Sequence, residues 1–197
     1  LEIKYDVSYN AFAIYCNYTL QYTRGNADQP LQSFDREGGN KDPVSKLIPM
    51  SWDQRHTFNT TLAYNRDDFG LTATAYYNSG TPYTFLPITE SETALINLLP
   101  NNDYKPANYS VDVTGYYRLW KNNDFEARLS FSIYNLFDTL NDMWVYPKTG
   151  RAYSNIVNAT EILGYRSAFT DVYDQYENPA MYSAPRQIKL NLTIRYK

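Results

Sequence analysis

Cysteine and histidine are almost missing from this chain of 197 residues, which holds one of each, Cys16 and His56. A lone cysteine excludes an internal disulfide and any cysteine-based zinc site, which needs several ligands. One histidine rules out a multi-histidine metal centre and most acid–base chemistry built on histidine pairs. No apolar run approaches the roughly 18 residues that a membrane-spanning helix needs. A helical membrane protein is therefore excluded. A membrane barrel is not, because its strands are only half apolar. A basic stripe is also missing. Lys and Arg number 18 against 21 Asp and Glu, for a net charge of −3, so nucleic acid is not an expected partner. No leader is visible, since Leu1 opens directly into a strand-like pattern. For an exported protein the exporting segment is expected outside this chain.

What the chain has in excess is tyrosine. There are 21, and aromatic residues make up 17% of the sequence, yet the mean hydropathy is −0.58. Tyr, Thr, Asn and Phe favour strands and turns over helices. A period of two residues recurs along the whole chain. Leu1, Ile3, Tyr5 and Val7 alternate with Glu2, Lys4, Asp6 and Ser8. Phe12, Ile14, Cys16, Tyr18, Leu20 and Tyr22 form one face of a second run. Phe58, Leu62 and Tyr64 belong to a third. Phe69, Leu71, Ala73, Ala75 and Tyr77 belong to a fourth. Tyr109, Val111, Val113, Tyr117 and Leu119 mark a fifth. Phe125, Ala127, Leu129, Phe131 and Ile133 mark a sixth, which is expected to continue past a bulge near Asn135–Asp138 as far as Tyr146. Ile188, Leu190, Leu192, Ile194 and Tyr196 close the series. The reading is an all-β, antiparallel up-and-down sheet of about seven strands.

Alternation alone does not separate a membrane barrel from a soluble Tyr-rich β-sandwich that binds carbohydrate. Strand length and loop order favour the barrel. Several runs reach about 11 to 14 residues, where soluble strands hold about 5 or 6 and membrane strands about 9 to 11. The connections at Tyr9-Asn10, at residues 66–68 and at residues 121–124 are short. Those at residues 25–51, 81–106 and 149–184 are long. Short and long alternate strictly, as in an outer-membrane barrel with short inner turns and long outer loops. Tyr5, Tyr9, Phe12, Tyr22, Tyr64, Phe69, Tyr77, Tyr109, Trp120, Phe125 and Tyr196 lie near strand ends, the heights at which interfacial girdles form. Seven strands leave the first without a partner, and an open edge in lipid costs several kcal/mol per unpaired group. The chain is thus expected to be part of a larger barrel or to pair with another chain. An eighth strand hidden in a loop would strain the pattern.

Four segments carry a resemblance. Pro49-Met50-Ser51-Trp52-Asp53-Gln54-Arg55-His56-Thr57-Phe58-Asn59 resembles the P-x-x-W-D-Q-R-H-T-x-N stretch of TonB-dependent outer-membrane receptors. Ser79-Gly80-Thr81-Pro82-Tyr83-Thr84 resembles their SG-x-PYT strand exit. Tyr134-Asn135-Leu136-Phe137-Asp138 resembles their NLFD motif. Pro185-Arg186-Gln187-Ile188-Lys189-Leu190 resembles the opening of their last strand. The four stand in family order and span nearly the whole chain. The resemblance implies the C-terminal third of a 22-stranded barrel, roughly strands 16 to 22, with the plug domain and earlier strands absent. It implies the bacterial outer membrane, with lipid, the rest of the barrel and plug, the TonB complex and a small-molecule ligand as partners. Siderophore, cobalamin, oligosaccharide and peptide all stay open as cargo. One departure stands out: the family usually ends in an aromatic residue, and this chain stops at Lys197 after Tyr196.

Trp52, Asp53, Arg55, His56, Asn135, Leu136, Phe137, Asp138, Pro185 and Arg186 read as structural motif residues. Asp53, Arg55 and His56 invite a catalytic reading, but no nucleophile is marked beside them, and enzyme function is not expected. Glu2, Lys4, Asp6, Asp112, Arg118, Glu126, Arg128, Lys189, Arg195 and Lys197 share the polar face and would line a lumen. Thr89 and Glu92 form a capping box before Ala94 and Leu95, and Asn158, Glu161 and Gly164 suggest a second short helix. Ligand contacts are expected from the last long loop, at Tyr153, Tyr165, Phe169, Tyr173 and Tyr176, where a phenol offers both a stacking face and a hydroxyl. No cofactor or metal is expected.

Overall fold

The structure, a computed structural model, describes residues 1–39, 43–88, 98–154 and 178–196. Seven long strands form one antiparallel sheet: β1 (Glu2–Tyr9), β2 (Phe12–Leu20), β3 (His56–Asn65), β4 (Phe69–Asn78), β5 (Asn108–Lys121), β6 (Phe125–Tyr134) and β7 (Gln187–Tyr196). Each pairs with its neighbours in sequence, so the spatial order is the chain order. Two short ladders lie in the loops, Arg24–Gly25 with Ile48–Pro49 and Pro82–Tyr83 with Asp103–Tyr104. A single α-helix, α1 (Gln32–Gly38), sits in the first long loop. The helices expected near residues 89–95 and 158–164 lie largely or wholly outside the described residues.

Local chemistry sets the short turns. Tyr9 faces Phe12 across Asn10-Ala11, and Asn10 takes φ 52°, a left-handed conformation that Asn accepts and two-residue hairpins need. At the β5–β6 turn the Asn122 carboxamide oxygen accepts from the backbone of Asp124 and Phe125 at 3.0 and 2.6 Å, which closes the turn from inside.

The registers decide which residues share a face. Tyr5 faces Cys16, Cys16 faces Thr60, Thr60 faces Ala75, Ala75 faces Val111, and on the other side of β5 Val113 faces Ile133, which faces Ile188. Repeated along each strand, this puts every apolar run on one continuous face. The expected polar-face charges, Lys197 aside as undescribed, fall together on the other. The apolar face has no cover among the described residues. Leu62, Leu71, Leu190 and Ile194 all stand exposed on it. The buried apolar side chains among the described residues are Ile48, Met50 and Ala152, and all three belong to loops.

Two expectations need correction. The sixth strand does not run on through a bulge to Tyr146. It stops at Tyr134, because Asn135 and Asp138 adopt φ 53° and 55° and turn the chain out of the sheet. The bulge lies elsewhere. Ala127 faces Trp120 but Arg128 faces Arg118, which leaves Leu119 unpaired on β5. This extra residue resets the alternation, so Trp120 joins the apolar face instead of following Arg118 onto the polar one. The second strand also ends earlier than expected, at Leu20 rather than past Tyr22.

β1 and β7 form the two outer edges, and neither has a further strand partner among the described residues. Six antiparallel steps separate them, so both edges run in the same direction.

Gly80, in the Ser79-Gly80 pair after β4, lies against the backbone carbonyl of Lys105, with no room for a Cβ. Gly80→Ala is expected to destabilise by about 1–3 kcal/mol, since backbone must move to admit the methyl. Gly38→Ala, at the end of α1 where a Cβ meets nothing within 4 Å, should hold or slightly raise the unfolding midpoint. Thermal unfolding followed by circular dichroism checks the pair.

Candidate functional site

Two polar networks lie at the long-loop end of the sheet. The first is centred on Asp53, which is 0% exposed. Its Oδ1 accepts from the Thr23 backbone at 2.8 Å, and its Oδ2 from the Tyr104 hydroxyl at 3.2 Å. Arg55 stands 3.8 Å from the same carboxylate and donates to the Tyr104 hydroxyl at 3.0 Å. The Arg55 guanidinium also lies between two rings, 4.6 Å from Tyr22 and 5.4 Å from Tyr104. A buried carboxylate is costly unless donors surround it. Here a backbone amide, a phenol and a guanidinium meet that need, and in doing so tie the chain leaving β2, the approach to β3 and the second long loop together.

His56 is pulled the other way. It opens β3 opposite Leu20, and its Nδ1 bonds the Tyr18 hydroxyl at 2.8 Å. The His56 backbone N–H donates to Ser79 Oγ at 2.9 Å, while Gln54 Nε2 donates to the Ser79 carbonyl at 3.3 Å. The first two sequence motifs are thus fastened to one another, with Asp53 and His56 serving different partners. Trp52 is exposed at the surface. A second carboxylate, Asp28, accepts from Asn101 Nδ2 at 3.0 and 2.9 Å and from the Ser51 backbone at 2.8 Å, joining the first long loop to the second.

The other network surrounds Asn135. The Asn135 backbone N–H donates to Asp112 Oδ1 at 2.8 Å. Its Nδ2 donates to the carbonyls of Thr139 and Ala184, both at 3.0 Å, and its Oδ1 accepts from the Thr139 backbone at 2.9 Å. Asp138 Oδ1 accepts from the Arg186 backbone at 2.8 Å, and the Leu136 N–H donates to Val111 at 2.7 Å. Phe137 points out into solvent. The third and fourth motifs therefore form one fastener: the turn leaving β6 fixes Pro185-Arg186, where β7 begins. Asn141 adds a side-chain rung, exchanging hydrogen bonds with the Tyr109 backbone at 3.0 and 2.9 Å.

Of the loop aromatics, Tyr153 is described and is 44% exposed. Its carbonyl accepts from Thr149 Oγ1 at 2.9 Å. Tyr165, Phe169, Tyr173 and Tyr176 lie outside the described residues. Sequence reasoning did not single out Thr23, Asp28, Asn101 or Tyr104. The one signal at Asn101 is its place in Pro100-Asn101-Asn102, a run of turn-forming residues, and in the structure it takes φ 54°.

Burial and a hydrogen bond to Asp103, 3.1 Å away, together with the charge of that carboxylate, push the Tyr83 phenol up to about 12. The Tyr104 phenol is also raised, first by burial and then by Asp53, with Arg55 acting in the opposite direction. Burial raises Tyr146 in the same way. Among the described residues no group of three His, Cys, Asp or Glu could hold a metal ion.

No protein-family model, no curated protein and no solved structure matches this chain.

Replacing Asp53 by Ala removes the acceptor of the half-buried Thr23 amide and of the Tyr104 hydroxyl, at about 1–3 kcal/mol for a donor left unpaired away from water. An overall loss of roughly 2–4 kcal/mol is expected, with the largest gain in hydrogen exchange at Thr23. The Tyr83 phenol provides a pH test. Its folded pKa lies above the ordinary 10.0, so its contribution to stability is intact below pH 10 and disappears as pH rises through about 12. The difference in tyrosinate absorbance between the native protein and Tyr83→Phe should contain one phenol titrating near 12. A step at the ordinary value would contradict the assignment.

Proposed function

We propose that the chain is the C-terminal part of an outer-membrane β-barrel transporter of the TonB-dependent receptor kind. In this reading its apolar face meets lipid, its polar face lines the lumen and its long loops meet ligand outside the cell. The observation that carries it is the uninterrupted apolar face. Six registers keep it in phase, and no protein layer covers it among the described residues. A sandwich would need a second sheet on that face, and the other ladders among the described residues hold two residues per strand.

Aromatic placement supports lipid as the covering medium. At the short-turn end every strand sets an aromatic on the apolar face: Tyr9, Phe12, Tyr64, Phe69, Tyr117, Phe125 and Tyr196. Neighbouring rings touch, with centroids 4.5 Å apart for Phe12 and Tyr64, 5.3 Å for Tyr64 and Phe69, and 5.1 Å for Phe125 and Tyr196. Tyr18, Phe58, Tyr77 and Tyr109 form a shorter row near the other end. Phe69 and Tyr77 stand eight positions apart on β4, about 27 Å at the usual rise. A barrel tilt of about 40° lowers that to roughly 21 Å, close to the apolar band of an outer-membrane barrel.

Strand direction supports a partner larger than a second copy. Because β1 and β7 run the same way, closing the sheet on itself, or joining β7 to β1 of another copy, needs a parallel pair. Joining β7 to β7 of another copy is antiparallel but turns one copy upside down across the membrane. An odd number of further antiparallel strands meets both edges without either cost. By the resemblance, those strands and a plug belong to the same transporter, whose cargo is a scarce nutrient imported with TonB-transmitted energy.

Nitroxides on the natural protein in lipid test the reading. Labels at Leu62, Leu71 and Leu192 are expected to collide with oxygen in preference to a water-soluble nickel chelate. Labels at Thr61, Thr72 and Thr193 should show the reverse. Equal accessibility along these pairs would overturn the membrane assignment.

A further inference from the structure

β6 leaves the sheet at Asn135 while β5 continues beside it to Asn108, and this mismatch opens a cleft in the polar face below the long loops. Its volume is about 370 Å³, at the small end of the range for ligand sites. Tyr76 and Tyr134 stand on either side, with Ser110, Asp112, Gln187 and Lys189 between and around them. The registers explain the grouping: Tyr76 faces Ser110 across β4 and β5, and Tyr134 faces Gln187 across β6 and β7.

The two charges in this cleft are already engaged within the fold. Asp112 Oδ1 accepts from the Asn135 backbone at 2.8 Å and from Ser110 Oγ at 3.4 Å, so the carboxylate anchors the turn out of β6. The Lys189 ammonium lies 5.0 Å from the centre of the Tyr134 ring, a cation–π contact. They are also of opposite sign, so together they give the cleft no net charge with which to select a charged ligand. The Tyr76 ring, the open face of the Tyr134 ring, the two phenol hydroxyls and the Gln187 carboxamide remain to recognise what enters. On β2, β3 and β4 the same face is free of charge. The polar positions of β2, β3 and β4 hold Tyr15, Asn17, Asn59, Thr61, Thr74 and their like, with no Asp, Glu, Lys or Arg among them.

We infer that this cleft binds a neutral, polyhydroxylated ligand of the carbohydrate type. The phenol rings supply flat apolar surfaces for the C–H face of a sugar ring, and the hydroxyl and amide groups pair with its hydroxyls. The inference rests on the polar face being the lumen wall, and it narrows the cargo from the open set to a sugar.

The test uses the natural protein in detergent on an array of neutral and acidic glycans, with charged dipeptides as a further probe. Neutral glycans are expected to be retained. Tyr76→Ala and Tyr134→Ala should each weaken retention about tenfold or more, equivalent to about 1.4 kcal/mol. Heat-dependent gel mobility confirms that each variant is still folded. Asn17→Ala, on the same face but outside the cleft, is the control and should retain glycans normally. The inference is overturned if no neutral glycan is retained, if acidic glycans or charged dipeptides are retained instead, or if both tyrosine variants bind as the native protein does. The nitroxide pattern at Leu62 and Thr61 decides the barrel reading separately, so failure of one is distinguishable from failure of the other.

Discussion

Register is the constraint on which the rest of this structure depends. A sheet with no packed core among its described residues gains its order from ladder hydrogen bonds and from neighbours that agree about which face is apolar. A one-residue slip in any of the seven strands would carry a whole run of Leu, Ile, Val and Phe onto the polar side. Each apolar side chain left facing water forgoes roughly 1.5–3 kcal/mol of burial. The sheet is therefore consistent only in an environment that receives that face. The environment and the registers have to be explained together.

The fasteners at the long-loop end serve the same constraint. Asp53 and Asn135 each collect several backbone and side-chain partners just where strands start or stop. A strand held at one end by a short turn and at the other by a polar hub has little freedom to shift. Asp28, Asp53, Asn101 and Asn141 also fasten the loops to one another and to the strands below. The buried residues accordingly sit in the loop layer, with Ile48, Met50 and Ala152 beside buried Asn101, Asn141 and Asp142.

The strands were legible because a period of two is a direct imprint of a two-faced sheet. β4 matches its sequence reading from Phe69 to Asn78. The motifs were legible as strings but their partners were not. Asp53 meets Thr23 and Tyr104 across 30 and 51 residues, and no local pattern records such pairings. In the sequence the break at Asn135 reads as a bulge, because a bulge and a turn interrupt a period of two in the same way. Asn and Asp at 135 and 138 were the sign that the backbone turns left-handed there, since those residues accept positive φ most readily after Gly. The Leu119 bulge left no composition cue, because Leu119 and Trp120 are both at home on an apolar face. The cleft is a product of the shape of the β6 exit and was not visible in the sequence.

The unpaired Leu119 works like a frameshift in a text read two letters at a time. Upstream of it, odd-numbered positions of β5 belong to the apolar face; downstream, even-numbered ones do. The phase of a long strand can thus be corrected in mid-course. Arg118 keeps its carboxylate partners Asp68 and Glu126, and two residues later Trp120 stacks on Phe125 at 6.4 Å. An inserted residue in such a sheet need not be lethal to the pattern if a second, compensating slip follows before the strand ends. Lineages of sheets like this one can therefore lengthen or shorten their strands by single residues while both faces keep their chemistry.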